Sequence, residues 1–413
     1  MKRIFLVFFI CGSFLSACMK DTVTEKYVIF KPVYKTKDEV LAQVKTTGAQ
    51  PINTTGKLFI RDHYVFLNEP DKGVHIIDFS NPADPVNLSF ASIPGNNEIA
   101  VRDHYLYADC YTSLIILDIA DPLNIKKVNI LENVFPEKGI ISVPTDASKF
   151  LVSWERKDTV IKRNAYVNKS FIGGGILYAA AAAPGSLNSS SLNGTGGSMA
   201  AMALLDDRMY AISGYDHIKI FNVANASSPA YSQQFTVHNG TGQLETIFPF
   251  NKNLFIGAQA GISIYSVNNP DAPTFESKFN HATVCDPIIA DNDHAFITLR
   301  SGTACQGVVN TLDILDIHNL ASPVLLKSYN QTNPHGLSKE SDLLFVCDGP
   351  AGLKIYNAAD VNNLLLLKQF QNLEAYDVIA SNGLAVCVTK SGLYFIDYNT
   401  PQISIKGKIN ITQ

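Results

Sequence analysis

Tryptophan is almost missing from this chain: there is one among 413 residues, against 17 tyrosines and 23 phenylalanines. Repeat architectures that place a tryptophan in every blade are thereby excluded. A basic excess is missing too. The 33 lysines and arginines face 37 aspartates and glutamates, a balance that argues against a nucleic-acid partner. Seven cysteines are too few for a disulfide-stapled scaffold, and a chain with 46% hydrophobic residues can build a core without staples. Beyond the N-terminus nothing reaches the ~18 consecutive apolar residues of a membrane span. Residues 171–183 come closest, but they are too few and include Gly173, Gly174 and Gly175. Catalytic signatures are also lacking: no G-x-S-x-G, H-E-x-x-H, Walker lysine or Cys-x-x-Cys pattern occurs.

What is present begins with an address. Lys2 and Arg3 form a charged start, residues 4–14 an apolar run, and Leu15-Ser16-Ala17-Cys18 matches the lipobox of bacterial lipoproteins. Small residues suit the cut, and a thiol at the new N-terminus is needed to carry lipid. Residues 1–17 are therefore expected to be a lipoprotein signal peptide and Cys18 the lipidation site. Removal of Lys2 and Arg3 leaves 31 basic residues against 37 acidic, a mature charge of −6. Residues 18–51 carry many Lys and Thr and little apolar periodicity, and read as a tether. The expected location is the cell envelope, at the outer membrane, with the lipid anchor as the only membrane attachment.

Length alone suggests two or three domains, but a repeat reduces them to one. An apolar run, then Asp or Asn, then a turn rich in Asn, Asp and Pro recurs along the chain. Copies run from Gly73 to Phe79, Leu114 to Ile119, Ile218 to Val223, Gly261 to Val267, Leu312 to Ile317, Gly352 to Asn357 and Gly392 to Asp397. The anchor residues fall at 78, 118, 222, 266, 316, 357 and 397, so five of six gaps are 40 to 50 residues and one is 104. The long gap has room for a degenerate unit over 136–165 plus a Gly/Ala/Ser-rich insertion at about 169–199. Each unit holds four strand-length apolar segments separated by turns, as in 99–101, 105–108, 114–119 and 125–131. The span 56–413 divided by eight gives about 45 residues per unit, in the range of propeller blades. The expectation is an all-β chain: one β-propeller domain over 52–413, with four-stranded blades, eight in number and seven as the runner-up.

These phrases resemble the LVIVD repeat family of bacterial and archaeal cell-surface proteins. The resemblance is clearest in Gly352 to Asn357 and in the unit where Tyr376-Asp377-Val378-Ile379, Leu384 to Val388 and Gly392 to Asp397 follow one another. Ser266 departs from the usual Asp, and 136–165 departs almost wholly. The resemblance implies a surface location and a propeller fold, and brings no agreed activity.

Aligning the units places one column just before each innermost strand: Lys57, Glu98, Glu245, Asp286, His335 and Asp377, with approximate matches near Lys138 and Gly197. Four acids, a lysine and a histidine would then circle one mouth of the channel. Clustered carboxylates favour cations or polar ligands; equally, acids in repeated turns cap backbone N–H groups. Lys57 and His335 argue against a simple calcium cage, and no metal is assigned. His63, His104 and His294 recur in turns on the opposite face and read as structural, as do the anchors Asp78, Asp118, Asp316 and Asp397.

Cys285 and Cys305 map to the same face and are candidates for a disulfide across the channel rim. Cys347 and Cys387 lie 40 residues apart in successive second strands; equivalent positions would point the same way, so they read as buried free thiols that do not face each other. The function expected is a non-enzymatic binding or scaffold module without cofactor, monomeric, whose partner is a protein or glycan of the envelope. The alternative is a propeller hydrolase or lyase using the channel mouth.

Overall fold

The structure, a computed structural model, describes residues 22–136, 148–164, 176–179, 197–237, 242–259, 261–281, 287–301, 309–399 and 402–412. Two units are present. The smaller, drawn from 1–34 and 151–188, is a three-stranded sheet with Thr22–Thr36 in the middle, flanked by Lys149–Asn164 and Ile176–Ala179. The larger, 35–150 and 189–413, is the propeller.

The described residues form seven blades, each built from a contiguous stretch of chain. Blade 1 runs Leu58–Arg61, Tyr64–Glu69, Gly73–Asp78, Val86–Ser92, and blade 2 runs Ile99–Arg102, Tyr105–Cys110, Ser113–Asp118, Lys126–Leu131. Blades 3 to 7 follow with the same meander, beginning at Met202, Leu244, Ile288, Leu337 and Ala375. The third strands carry the repeated phrase and are buried along most of their length, because blades pack on both of their faces.

The turn chemistry repeats as faithfully as the apolar run. All seven anchors accept the backbone N–H two residues on: Asp78 from Ser80, Asp118 from Ala120, Asn222 from Ala224, Ser266 from Asn268, Asp316 from His318, Asn357 from Ala359 and Asp397 from Asn399. This is the Asx-turn role expected of short polar side chains. The residue after each anchor donates its N–H to the turn between the first two strands. Phe79 thus bonds the His63 carbonyl at 2.9 Å, and Ile119 the His104 carbonyl at 2.8 Å. The histidine backbones do this work, while their rings lie on Tyr64 and Tyr105. A β-bulge between third and outer strand also recurs in every blade.

Among the described residues the eighth blade expected from 136–165 is not seen. Blade 2 packs directly on blade 3, through Tyr107, Leu114 and Ile116 against Met209, Phe221 and Val223. Tyr107 Oη also donates to the Ala226 carbonyl at 2.8 Å, and Arg102 pairs with Asp207 across the same seam. The physical reason is in the sequence. Lys149–Asn164 is one 16-residue strand, with no turn to fold it into a blade. Its Glu155, Arg156, Lys157 and Asp158 are exposed, and a blade's inner strands would have to bury them. Seven blades, the runner-up, is the number.

Within 18–51, the stretch expected as a tether, much is regular structure. Besides Thr22–Thr36 there is a short helix, Lys37–Leu41, with a Thr36/Glu39 capping box. Lys45–Gly48 adds a fifth strand to the outer edge of blade 1. Lys37 pairs with Glu132 of blade 2 at 2.7 Å, and Thr46 Oγ1 donates to the Ile125 carbonyl at 2.9 Å.

The ring closes between blades 7 and 1. Val386, Val388, Leu393 and Phe395 pack on Ile52, Leu58, Val65 and Ile77. The Thr412 N–H donates to the Ile52 carbonyl at 2.7 Å.

The two cysteines expected not to face each other do face each other. Cys347 pairs with Leu353 in its blade, whereas Leu393, the equivalent of Leu353, pairs with Val388. Cys387 therefore matches Val346, one residue away from Cys347, and a one-residue offset turns a side chain to the other face. Cys347 points from blade 6 toward blade 7 and Cys387 points back, both in one buried cluster. Both thiols are free and buried, as expected.

Candidate ligand site at the channel mouth

Lys57 and Glu98 each stand immediately before an innermost strand, in neighbouring blades. Their side chains meet: Lys57 Nζ is 3.1 Å from Glu98 Oε1. Neither waits for a ligand. Lys57 also donates to the Met199 carbonyl, and Glu98 Oε2 accepts the Ala201 N–H at 3.1 Å. Burial raises the Glu98 pKa, Lys57 opposes that shift, and Asp109 adds to it.

The segment they hold is the end of the Gly/Ala/Ser-rich stretch. Gly197–Met199 forms one 3₁₀ turn, and Ser198 and Met199 are buried. From this turn the chain reaches several blades. Ser198 Oγ accepts the Leu337 N–H of blade 6 at 3.1 Å, and the Ala200 carbonyl accepts the Ile247 N–H of blade 4 at 2.8 Å. With Lys57 of blade 1 and Glu98 of blade 2, the segment is tied to four blades before it enters blade 3 at Met202. The Gly197–Ala201 segment thus lies across the mouth.

On the far side, Arg300 follows the second strand of blade 5, and its guanidinium lies against the His335 imidazole, 3.0 Å from Nε2. Burial lowers the Arg300 pKa to about 10, and the Glu245 charge opposes that. His335 is buried, stacks edge-on with Tyr376 at 5.2 Å, and its carbonyl accepts from Thr298 Oγ1 at 2.5 Å. Asp377 is wholly buried, and among the described residues neither carboxylate oxygen has a hydrogen-bond partner of ordinary geometry. Burial pushes its pKa well up, with the Val378 N–H and the Lys57 charge offsetting only part.

Of the six column residues, the structure brings Lys57 and Glu98 together, sets His335 against Arg300, whose charge Glu245 also feels, and leaves Asp377 under the influence of Lys57. Asp286, Lys138, Cys18, Cys285 and Cys305 lie outside the described residues. Among the described residues no three His, Cys, Asp or Glu converge to ligate a metal ion.

The backbone caps expected of column acids are supplied mainly by a second set that the sequence reading missed. Asp109 Oδ1 accepts the N–H groups of Asn97 and Glu98 at 2.6 and 2.8 Å. Asp348 accepts those of Thr332 and Asn333. Both acids stand at the end of a second strand, where an apolar run stops at an Asp, and that was the available signal. Glu69 of blade 1 ends its strand in the same way, but it binds buried His75 at 2.9 Å and Lys72 at 2.6 Å. The other signal was a basic residue directly after a second strand, which Arg300 shares with Lys390 of blade 7.

The fold and the blade geometry define a β-propeller. Three stretches of the chain, 54–90, 96–129 and 304–331, match the LVIVD repeat, so the propeller carries LVIVD repeats. No curated protein matches the sequence. Among solved structures, the computationally designed Ika8 protein is 10% identical, with 90% of this chain and 92% of that one covered and a TM-score of 0.53. A protein from Lactobacillus plantarum is 12% identical, with 84% of this chain and 96% of that one covered and a TM-score of 0.50. At such identities the likeness concerns the fold alone.

Proposed function

We propose that the protein is a lipid-anchored propeller of the cell envelope that binds or scaffolds a partner protein and performs no catalysis. The observation that carries this reading is the occupied channel mouth. Lys57 and Glu98, the polar pair best placed to receive a ligand, hold the chain's own Gly197–Ala201 segment instead. A hydrolase or lyase at that mouth would need an acid and a base with access to substrate, and the buried column supports that alternative less well.

A protein partner has a more suitable surface on the outer rim. Val324, Leu325 and Leu326 of blade 5 and Leu365, Leu366 and Leu367 of blade 6 are exposed on neighbouring outer strands. Aliphatic patches of this kind suit another protein better than a sugar, which calls for aromatic and hydrogen-bonding groups. The chain itself shows that such an edge accepts a strand, since Lys45–Gly48 pairs along the outer strand of blade 1. Capture with tagged protein from solubilised envelopes tests the reading. Wild type should retain a stoichiometric partner, the double variant Leu325→Glu/Leu366→Glu should lose it, and Cys18→Ser should abolish fatty-acid labelling. Recovery of the wild-type protein alone would count against a binding role, and labelling that survives Cys18→Ser would remove the anchor.

A further inference from the structure

We propose that Cys347 and Cys387 are a disulfide-forming pair that clamps blade 6 to blade 7 when the chain folds under oxidising conditions. The pair stands on three observations. The side chains face each other across the seam, because their strands are offset by one residue. Their surroundings include the small residues Ala375 and Ala385, which let the two sheets come close. The backbones do come close beside Cys347: Gly349 and Ala375 exchange N–H···O bonds of 3.1 and 3.0 Å across the blades, and the Gly336 N–H reaches the Tyr376 carbonyl at 2.9 Å.

That last point decides feasibility. Sheets packed face to face ordinarily stand about 10 Å apart, whereas a disulfide needs Cα atoms about 4.4–6.8 Å apart. Main-chain hydrogen bonding between the blades, two residues beyond Cys347, shows that the seam narrows where the thiols sit.

The chemistry is thiol–disulfide exchange with a small-molecule disulfide such as oxidised glutathione. One cysteine, as thiolate, attacks a sulfur of the oxidant and releases one glutathione thiolate, giving a mixed disulfide. The second cysteine then attacks the protein sulfur and releases the other. The two protein thiols give up two protons and two electrons, and the oxidant leaves as two thiols. Exchange belongs to the folding chain. In the closed ring both sulfurs are sealed from solvent, and burial, with Cys387 alongside, holds the Cys347 thiol protonated. The proposal is independent of where the protein resides, since the test supplies the oxidant.

Full-length protein is unfolded with reductant, refolded in a reduced/oxidised glutathione buffer, alkylated without reduction, digested and mapped by mass. The expected product is a linked peptide pair carrying Cys347 and Cys387, about 2 Da below the sum of the free peptides. Cys110, buried in blade 2, should be alkylated and serves as the internal control. Linked protein should also show a higher denaturation midpoint that reductant erases. For a chain that does not refold, the same mapping on protein exported to an oxidising compartment reads the same outcome. Native protein with both Cys347 and Cys387 alkylated overturns the proposal, and so does a bridge from either one to a different cysteine.

Discussion

A carboxylate inside a fold without hydrogen-bond donors tends to give up its charge, because the ionised form has lost its water and gained nothing in return. Among the described residues Asp377 comes near that position: the Val378 N–H and the Lys57 charge offset only part of its burial, and Lys57 is held by Glu98 and the Met199 carbonyl. Its pKa in the folded state is raised above the unfolded value. A group shifted in this direction contributes stability that is full below the unfolded pKa and is lost as pH rises through the folded one. Wild type is therefore penalised most at neutral and alkaline pH. Asp377→Asn, which removes the charge and keeps the shape, should stabilise the protein by about 1–3 kcal/mol at pH 8. The gain should shrink as pH falls through the folded pKa and vanish below the unfolded one. Urea denaturation at pH 8 and pH 4 measures both, and a variant less stable than wild type at pH 8 would mean that the carboxylate has a partner after all. At this scale the sequence was a fair guide to position and a poor one to role. Lys57 and Glu98 do stand just before their innermost strands, whereas Glu245 and Asp377 lie inside theirs, and the group that Lys57 and Glu98 hold comes from Gly197–Ala201. That segment, rich in small residues, has no periodicity from which a path could be read.

Elements were legible where one chemical requirement recurs. Each third strand must be apolar on both faces and must then reverse, so the apolar run and the Asx residue after it travel together. The same logic shows where side chains matter and where they do not. Asp118 accepts the Ala120 N–H at 2.9 Å, and Asp121 repeats the device on Leu123 at 3.0 Å. Asp118→Ala should therefore cost about 0.5–1.5 kcal/mol, the worth of one such bond. His104→Ala should stay within about 0.5 kcal/mol of wild type, since its carbonyl, not its ring, bonds Ile119. Thermal melts of the two variants side by side make the comparison. An equal loss in both would show that the imidazole has a role this geometry does not give it. Where the requirement was not met, reading failed. Lys149–Asn164 has strand-forming residues but a charged middle, and counting strand-length segments made it a blade. Register is the finest case: assigning Cys347 and Cys387 to one position put them one residue out, and in a structure of period two that error reverses the face.

For the whole molecule the consequence of seven contiguous blades is that one seam differs in kind from the rest. Six seams join blades that follow each other in the chain, whereas the seam between blades 7 and 1 joins its two ends and has no covalent connection to hold it. Its stability rests on the Phe395 and Val388 face against Ile52, Leu58 and Val65, and on the Thr412–Ile52 hydrogen bond. Phe395 of blade 7 is fully buried there, and Phe221 of blade 3 is a buried phenylalanine of the seam between blades 2 and 3. Truncation of either to alanine removes a ring of similar size and should cost about 3–5 kcal/mol. The two losses should nevertheless differ in where they are felt. A weakened internal seam is still tethered by its connecting chain, so Phe221→Ala should lower the urea midpoint and leave the exchange pattern of the other blades unchanged. A weakened closing seam can part before the remainder unfolds, so Phe395→Ala should speed amide hydrogen exchange selectively in blades 1 and 7. Its urea transition should also broaden as the effective m-value falls. Uniform acceleration across all seven blades in Phe395→Ala would mean that the ring unfolds as one cooperative unit, with no seam weaker than another.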